Sequence, residues 1–234
     1  MKPDLVRRVV AEALGTALLL ATVIGSGIMG ERLSAGNVGL ALLANTVATG
    51  AALVALILTF GPISGAHFNP AVTLADAFEG GVAWRAVPAY LVAQIAGAFG
   101  GAAIAHLMFG EALFSASTHV RSGPAQWLSE FVATFGLLCV IWGCVRRRSP
   151  FVPFAVGAYI TAAYWFTSST SFANPAVTLA RAASNTFAGI RPADAPAFIV
   201  AQLAGAAAAT ALFRWLVPNL PEVAGNVTDF TESK

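Results

Sequence analysis

Two stretches decide how this chain folds: "HFNPAVTLADA", residues 67–77, and "SFANPAVTLAR", residues 171–181. Both contain Asn-Pro-Ala-Val-Thr-Leu-Ala, half a chain apart. Asn is a favoured helix N-cap and Pro a favoured first helical residue. Asn69-Pro70 and Asn174-Pro175 therefore each mark a helix start. The apolar stretches that follow, roughly Pro70–Phe78 and Pro175–Ala183, are short. A helix of that length is about 14 Å long, near half of a bilayer core of about 30 Å. Such pieces cannot span a membrane, but they can enter it and stop at the midplane.

The surrounding composition calls for a membrane. Of 234 residues, 57% are hydrophobic and 10% charged, against about 25% charged in soluble domains. Mean hydropathy is +0.74. The net charge of +2 is small and scattered, which gives no case for nucleic-acid binding. Cys139 and Cys144 lie five apart in one apolar run and read as apolar-facing residues, not a disulfide or metal pair. The first apolar run is too long for a cleavable signal peptide and lacks a small-residue cleavage site.

Six segments reach spanning length: Val6–Ile28, Val38–Phe60, Val87–Phe109, Trp127–Val145, Phe151–Phe166 and Pro196–Val217. Six spans place both termini on one side. That side carries nine Lys and Arg residues, among them Arg146, Arg147 and Arg148, against four on the other. The bias predicts cytoplasmic termini in a multi-pass cell-membrane protein. Residues 218–234 form a polar tail.

The halves repeat, at about 6–109 and 127–217. "AEALGT" (11–16) answers "SEFVAT" (129–134), so Glu12 stands against Glu130. "AYLVAQIAGA" (89–98) answers "AFIVAQLAGA" (197–206). Three crossings per half is an odd number, so the second half must run upside down. The expected fold is all-α: six transmembrane helices and two re-entrant half-helices in an inverted repeat, forming one channel domain over 1–234. The half-helices enter from opposite faces and their starts meet.

At that meeting point each Asn caps its helix and leaves an NH₂ group pointing outward. Each helix start adds about half a positive charge. A cation there meets repulsion and desolvation, whereas a neutral solute with oxygen lone pairs meets donors. Glu12 and Glu130, the acids placed within the spans, are costly at that depth unless bonded. Each is expected to accept backbone N–H bonds from the nearest re-entrant loop. No metal or catalytic cluster is evident, so no cofactor and no enzymatic activity are expected. A passive channel competes with an ion-coupled transporter, which would need coordinating groups at midplane. A water, ammonia or gas channel stays open as a variant of the first.

These residues resemble the aquaporin and aquaglyceroporin family, the major intrinsic proteins. "SGAHFNPAVTLA" (64–75) is similar to that family's first signature, and the match runs from Ala11 to Val217. The resemblance implies a homotetramer in the lipid bilayer, each protomer with its own pore. It implies two Asn-Pro-Ala motifs (Asn69, Pro70, Ala71; Asn174, Pro175, Ala176) at the pore centre. It also implies a path lined by backbone carbonyls of Ser64, Gly65, Ala66, His67, Ser169, Thr170, Ser171 and Phe172. His67 is expected to be structural.

The chain departs from the family at its filter. Val177 stands where members usually carry Arg, and Thr178 where glycerol facilitators usually carry Asp. Matching by distance from the two motifs gives the filter as Thr49, Ala162, Ser171 and Val177: small, uncharged and without an aromatic ring. That set implies a widened constriction passing water, glycerol and similar polyols. It further resembles bacterial aquaglyceroporins associated with arsenic resistance, which implies arsenite, As(OH)₃, and related metalloid species. Arg181 lies one turn beyond Val177. Two placements are open for it: a helix-end charge at the outer surface, the expectation here, or a displaced Arg leaning over the outer mouth.

Overall fold

The computed structural model describes residues 3–145 and 150–216. Among them regular structure is helical: α1 (Leu5–Leu33), α2 (Val38–Ser64), α3 (Pro70–Phe78), α4 (Val87–Phe109), α5 (Pro124–Val145), α6 (Val152–Phe166), α7 (Pro175–Ala182) and α8 (Ala195–Leu216). The fold is the expected one of six helices and two half-helices; among the described residues five helices are long and apolar enough to cross a membrane, and α6 is a shorter apolar helix. α6, with 15 residues, is the shortest of the six. The arginine run 146–148 and the tail 218–234 lie outside the described residues.

The half-helices form where the Asn-Pro pairs predict. Asn69 and Asn174 are extended and accept, through Oδ1, the backbone N–H of Ala71 (2.9 Å) and Ala176 (3.0 Å). Each proline occupies the first helical turn, where a missing N–H costs nothing. The far ends are tied to the opposite repeat. At the end of α3, Arg214 of α8 bonds the Phe78 carbonyl (2.8 Å) and pairs with Glu79. Beyond α7, His106 of α4 meets Ser184 Oγ at 2.8 Å.

Small residues set the helix spacing, since lipid tails supply no hydrophobic drive for helices to associate. α1 packs on α4, and α5 on α8. At Gly101 the chains touch: an added Cβ would overlap the Ala17 carbonyl oxygen. Gly205 meets the Phe131 carbonyl in the same way in the second repeat. The outer surface keeps exposed Leu14, Leu18, Val47, Leu58, Val92 and Val200, an apolar belt suited to lipid.

Gly101→Ala is therefore expected to destabilise by about 1–3 kcal/mol, the usual cost of overpacking. Gly100, with nothing within 4 Å of an added Cβ, is the control. Thermal unfolding of the two alanine variants in detergent should separate them. Equal midpoints would contradict this packing.

Candidate functional site: a pore between two half-helices

The chain enters each half-helix through a short loop of unusual backbone. Ala66 and Phe68 have positive φ (49° and 50°), and so do Ser171 and Ala173 (50° and 49°), with Thr170 at 61°. Left-handed backbone in residues with a Cβ costs about 1–2 kcal/mol each. It persists only where the surroundings over-determine it.

Two buried carboxylates do so. Glu12 accepts from Ser64 Oγ (2.6 Å), the N–H of His67 (2.9 Å) and of Phe68 (2.7 Å), and Gln94 Nε2 (2.8 Å). Glu130 accepts from the N–H of Phe172 (2.8 Å) and Ala173 (2.9 Å), and from Gln202 Nε2 (2.6 Å). Gln94 and Gln202 also bond Thr73 and Thr178 (2.8 and 2.9 Å), locking each half-helix to its carboxylate. Bonds to an ionised acceptor contribute about 1.5–3 kcal/mol each, enough to offset the backbone strain. Each acid thus bonds the loop that leads into the half-helix of its own repeat. The glutamines and threonines were visible as repeated letters, yet their part required knowing which helix faces the loop.

The two starts meet through a crossed pair of bonds. Asn69 Nδ2 donates to the Ala173 carbonyl at 2.7 Å, and Asn174 Nδ2 to the Phe68 carbonyl at 2.8 Å. The sequence reading left both NH₂ groups turned outward. Instead one N–H of each is spent on the opposite loop. An amide NH₂ has two donors, so one per Asn is left for the cavity, which both residues line.

A continuous cavity runs along this seam. Gly65, Ala66, His67 and Phe68 line it on the α3 side, and Ser171, Phe172 and Ala173 on the α7 side. Ser64, Ser169 and Thr170, expected along the path, are not among its lining residues. The Ser64 carbonyl accepts from Tyr90 Oη (2.9 Å) and the Ser169 carbonyl from Arg121 (3.1 Å). Pro70, Ala71, Pro175 and Ala176 are buried behind the motif and start the helices. The facing wall is apolar, with Leu53, Ile57, Trp142 and Val156.

At the α7 end the filter expectation needs correction. Thr49, Ser171 and Val177 line the cavity, but Ala162 does not; it is exposed on the outside of α6. Tyr164 lines the cavity in its place and donates to Thr49 Oγ1 (3.3 Å). Two residues along a helix is a rotation of about 200°, so counting two short put the position on the lipid face. Nor is Arg181 a surface charge: it is 2% exposed and lines the cavity. The wall thus contains an aromatic ring and a guanidinium that the matched set lacked.

His67 lines the α3 side, with Nδ1 3.1 Å from Thr73 Oγ1 and Nε2 3.6 Å from a carboxylate oxygen of Asp76. Asp76 lines the cavity as well. It belongs to the first quoted stretch and sits on the half-helix α3, outside the full spans.

The model of the major intrinsic protein family matches residues 1–171 and 149–233. The chain belongs to the major intrinsic proteins. It is 59% identical over 214 residues to the aquaglyceroporin AqpS of Rhizobium meliloti strain 1021, covering 92% of this chain and 91% of that one. It is 35% identical over 180 residues to the aquaporin NIP1-3 of Oryza sativa subsp. japonica, covering 74% and 62%. Among solved structures, the aquaglyceroporin of Plasmodium falciparum superposes with a TM-score of 0.70 at 20% identity, covering 93% and 99%; that likeness bears on the fold. This major intrinsic protein is accordingly a multi-pass channel for small solutes and not an enzyme.

Replacing Glu130 by Gln turns one acceptor oxygen into a donor facing N–H groups. Water permeability per protein in vesicles is expected to fall by about tenfold, equivalent to about 1.4 kcal/mol on the barrier. Unchanged permeability would contradict the supporting role.

Proposed function

We propose that this major intrinsic protein conducts small uncharged hydroxylated solutes passively, with water, glycerol and arsenite, As(OH)₃, in its range. The observation that carries the reading is the midplane. Two helix starts aim their positive ends at one point, and each Asn keeps one N–H for the cavity. A solute with oxygen lone pairs replaces its lost water there, and a cation does not. Glycerol and As(OH)₃ share the needed chemistry: three hydroxyls, no net charge at neutral pH and a compact body.

The wall fits such solutes. One side offers carbonyls and amide donors, the other Leu53, Ile57 and Val156. A polyol can bond along one edge and lay its carbon skeleton against the opposite wall. The name of the Rhizobium relative, an aquaglyceroporin, supports solutes beyond water. Val177 supports them too, since a branched aliphatic replaces the family's bulky Arg.

An ion-coupled transporter would need coordinating groups at midplane. Glu12 and Glu130 are occupied by their loops, and Asp76 faces His67. Passive conduction is the reading these partners favour. The charge bias of the loops supports cytoplasmic termini, which puts the α3 end of the pore inside and the α7 end outside. Family resemblance supports a homotetramer.

Purified protein in vesicles without any ion gradient should equilibrate glycerol and arsenite, at a rate that does not saturate readily. Dependence on a sodium or proton gradient would overturn the reading. Val177→Arg should keep water flux and cut glycerol and arsenite by about tenfold, a barrier of about 1.4 kcal/mol. Stopped-flow light scattering reads the water and glycerol fluxes. Unchanged glycerol and arsenite permeability in that variant would count against a filter at residue 177.

A further inference from the structure

We infer that Arg181 is the outer selectivity residue of this pore, and that it does from one helical turn further along α7 what the absent Arg at position 177 would do. The inference rests on the proposed solute channel and adds the group that limits its solutes at the α7 end.

Arg181 is among the largest fully buried side chains of the described residues. Its guanidinium carbon lies 3.4 Å from the centroid of the Phe172 ring, a stacked cation–π contact. Its Nε donates to the Ala188 carbonyl. Those two contacts fix the plane of the group. No carboxylate pairs with it among the salt bridges of the described residues. Its Nη1 is buried and has no hydrogen-bond partner.

A helix-end charge at a surface would be hydrated, and a structural one would be saturated. Arg181 is neither. A buried donor left unmade costs about 1–3 kcal/mol, more when charged, so the group needs a visitor. The cavity supplies the place, since Arg181 lines it with Thr49, Tyr164, Ser171, Phe172 and Val177. Ser171 Oγ is a second buried polar atom on this wall without a partner. An unmet charged donor beside an unmet hydroxyl suits one hydroxylated neutral molecule at a time. The stacked guanidinium also takes up part of the cross-section that Val177 leaves free.

Arg121 explains why Arg181 is available. Its guanidinium also stands over the Phe172 ring, 5.1 Å from the centroid. Its bonds go to the carbonyls of Gly189 (2.8 Å) and Ser169 (3.1 Å). In the first repeat Tyr90 Oη serves the matching Ser64 carbonyl. Its counterpart in the second is Phe198, which has no hydroxyl. Arg121 supplies the missing loop bond, and Arg181 is left to the pore.

The test compares erythritol and water permeabilities in vesicles holding wild-type protein, Arg181→Met or Arg181→Lys. Wild-type glycerol flux above that of empty vesicles first establishes the channel; its absence would sink the channel reading and not this one alone. Given that flux, both variants should raise the erythritol-to-water ratio by about tenfold, a barrier lower by about 1.4 kcal/mol, because the stacked guanidinium no longer fills the cross-section beside Val177. Lysine keeps the charge but cannot lie flat on Phe172 while bonding Ala188. A merely structural Arg181 would lower all fluxes together and leave the ratio unchanged, which would overturn the inference. Crystals of the wild-type protein soaked in glycerol give a readout free of folding defects. A solute or water oxygen within hydrogen-bond distance of Nη1 is expected. A protein carbonyl on Nη1, with solute passing elsewhere, would also overturn it.

Discussion

The crossed amide bonds at the midplane are the constraint on which the rest of the structure depends. A half-helix ends where a bilayer offers no partner for its free N–H groups. Here each capping Asn satisfies its own first turn and reaches the carbonyl of the opposite loop, at 2.7 and 2.8 Å. The join is reciprocal, so neither half can be placed without the other. The buried glutamates, the glutamine–threonine links and the tied far ends of α3 and α7 all hold those two starts in register.

The same join divides the labour between charge and hydrogen bonding. The helix dipoles oppose cations, while the remaining N–H of each Asn gives a neutral oxygen a partner. Both pore loops contain residues with left-handed backbone, Ala66 and Phe68 in one and Thr170, Ser171 and Ala173 in the other. That strain is tolerable because carboxylates too deep to be hydrated accept the N–H groups the loops expose. Glu12 and Glu130 are thus scaffold, and their burial is offset by neutral donors on each. The two repeats then diverge where symmetry is not required. Tyr90 against Phe198 is one such place, and it brings a second guanidinium beside Phe172.

Much of this was legible in the letters. Asn-Pro fixes a helix start by capping chemistry, so both half-helices were placed to within one residue. Odd crossing number fixes the inversion, and a buried acid must find donors, which Glu12 and Glu130 do in the N–H groups of the loops. What escaped was rotation. The few polar groups of α6, Tyr159, Thr161 and Tyr164, spread around the helix and do not mark which face is inward, so counting from the motif gives Ala162 and not Tyr164. Arg181 was judged by the dipole at its helix end, a local argument. Its burial is decided by the Phe172 ring and the chain around Ala188, which sequence spacing does not reveal. The engaged half of each Asn amide escaped for the same reason, since its partner lies more than a hundred residues away.

A midplane that passes neutral molecules and stops charge separates water from protons. The most direct measurement records osmotic water permeability and proton leak on the same proteoliposomes, the latter with an entrapped pH dye, across a range of protein contents. Water permeability is expected to rise with protein content while proton leak stays at the level of empty vesicles. A proton leak that climbs in step with the water flux would contradict it.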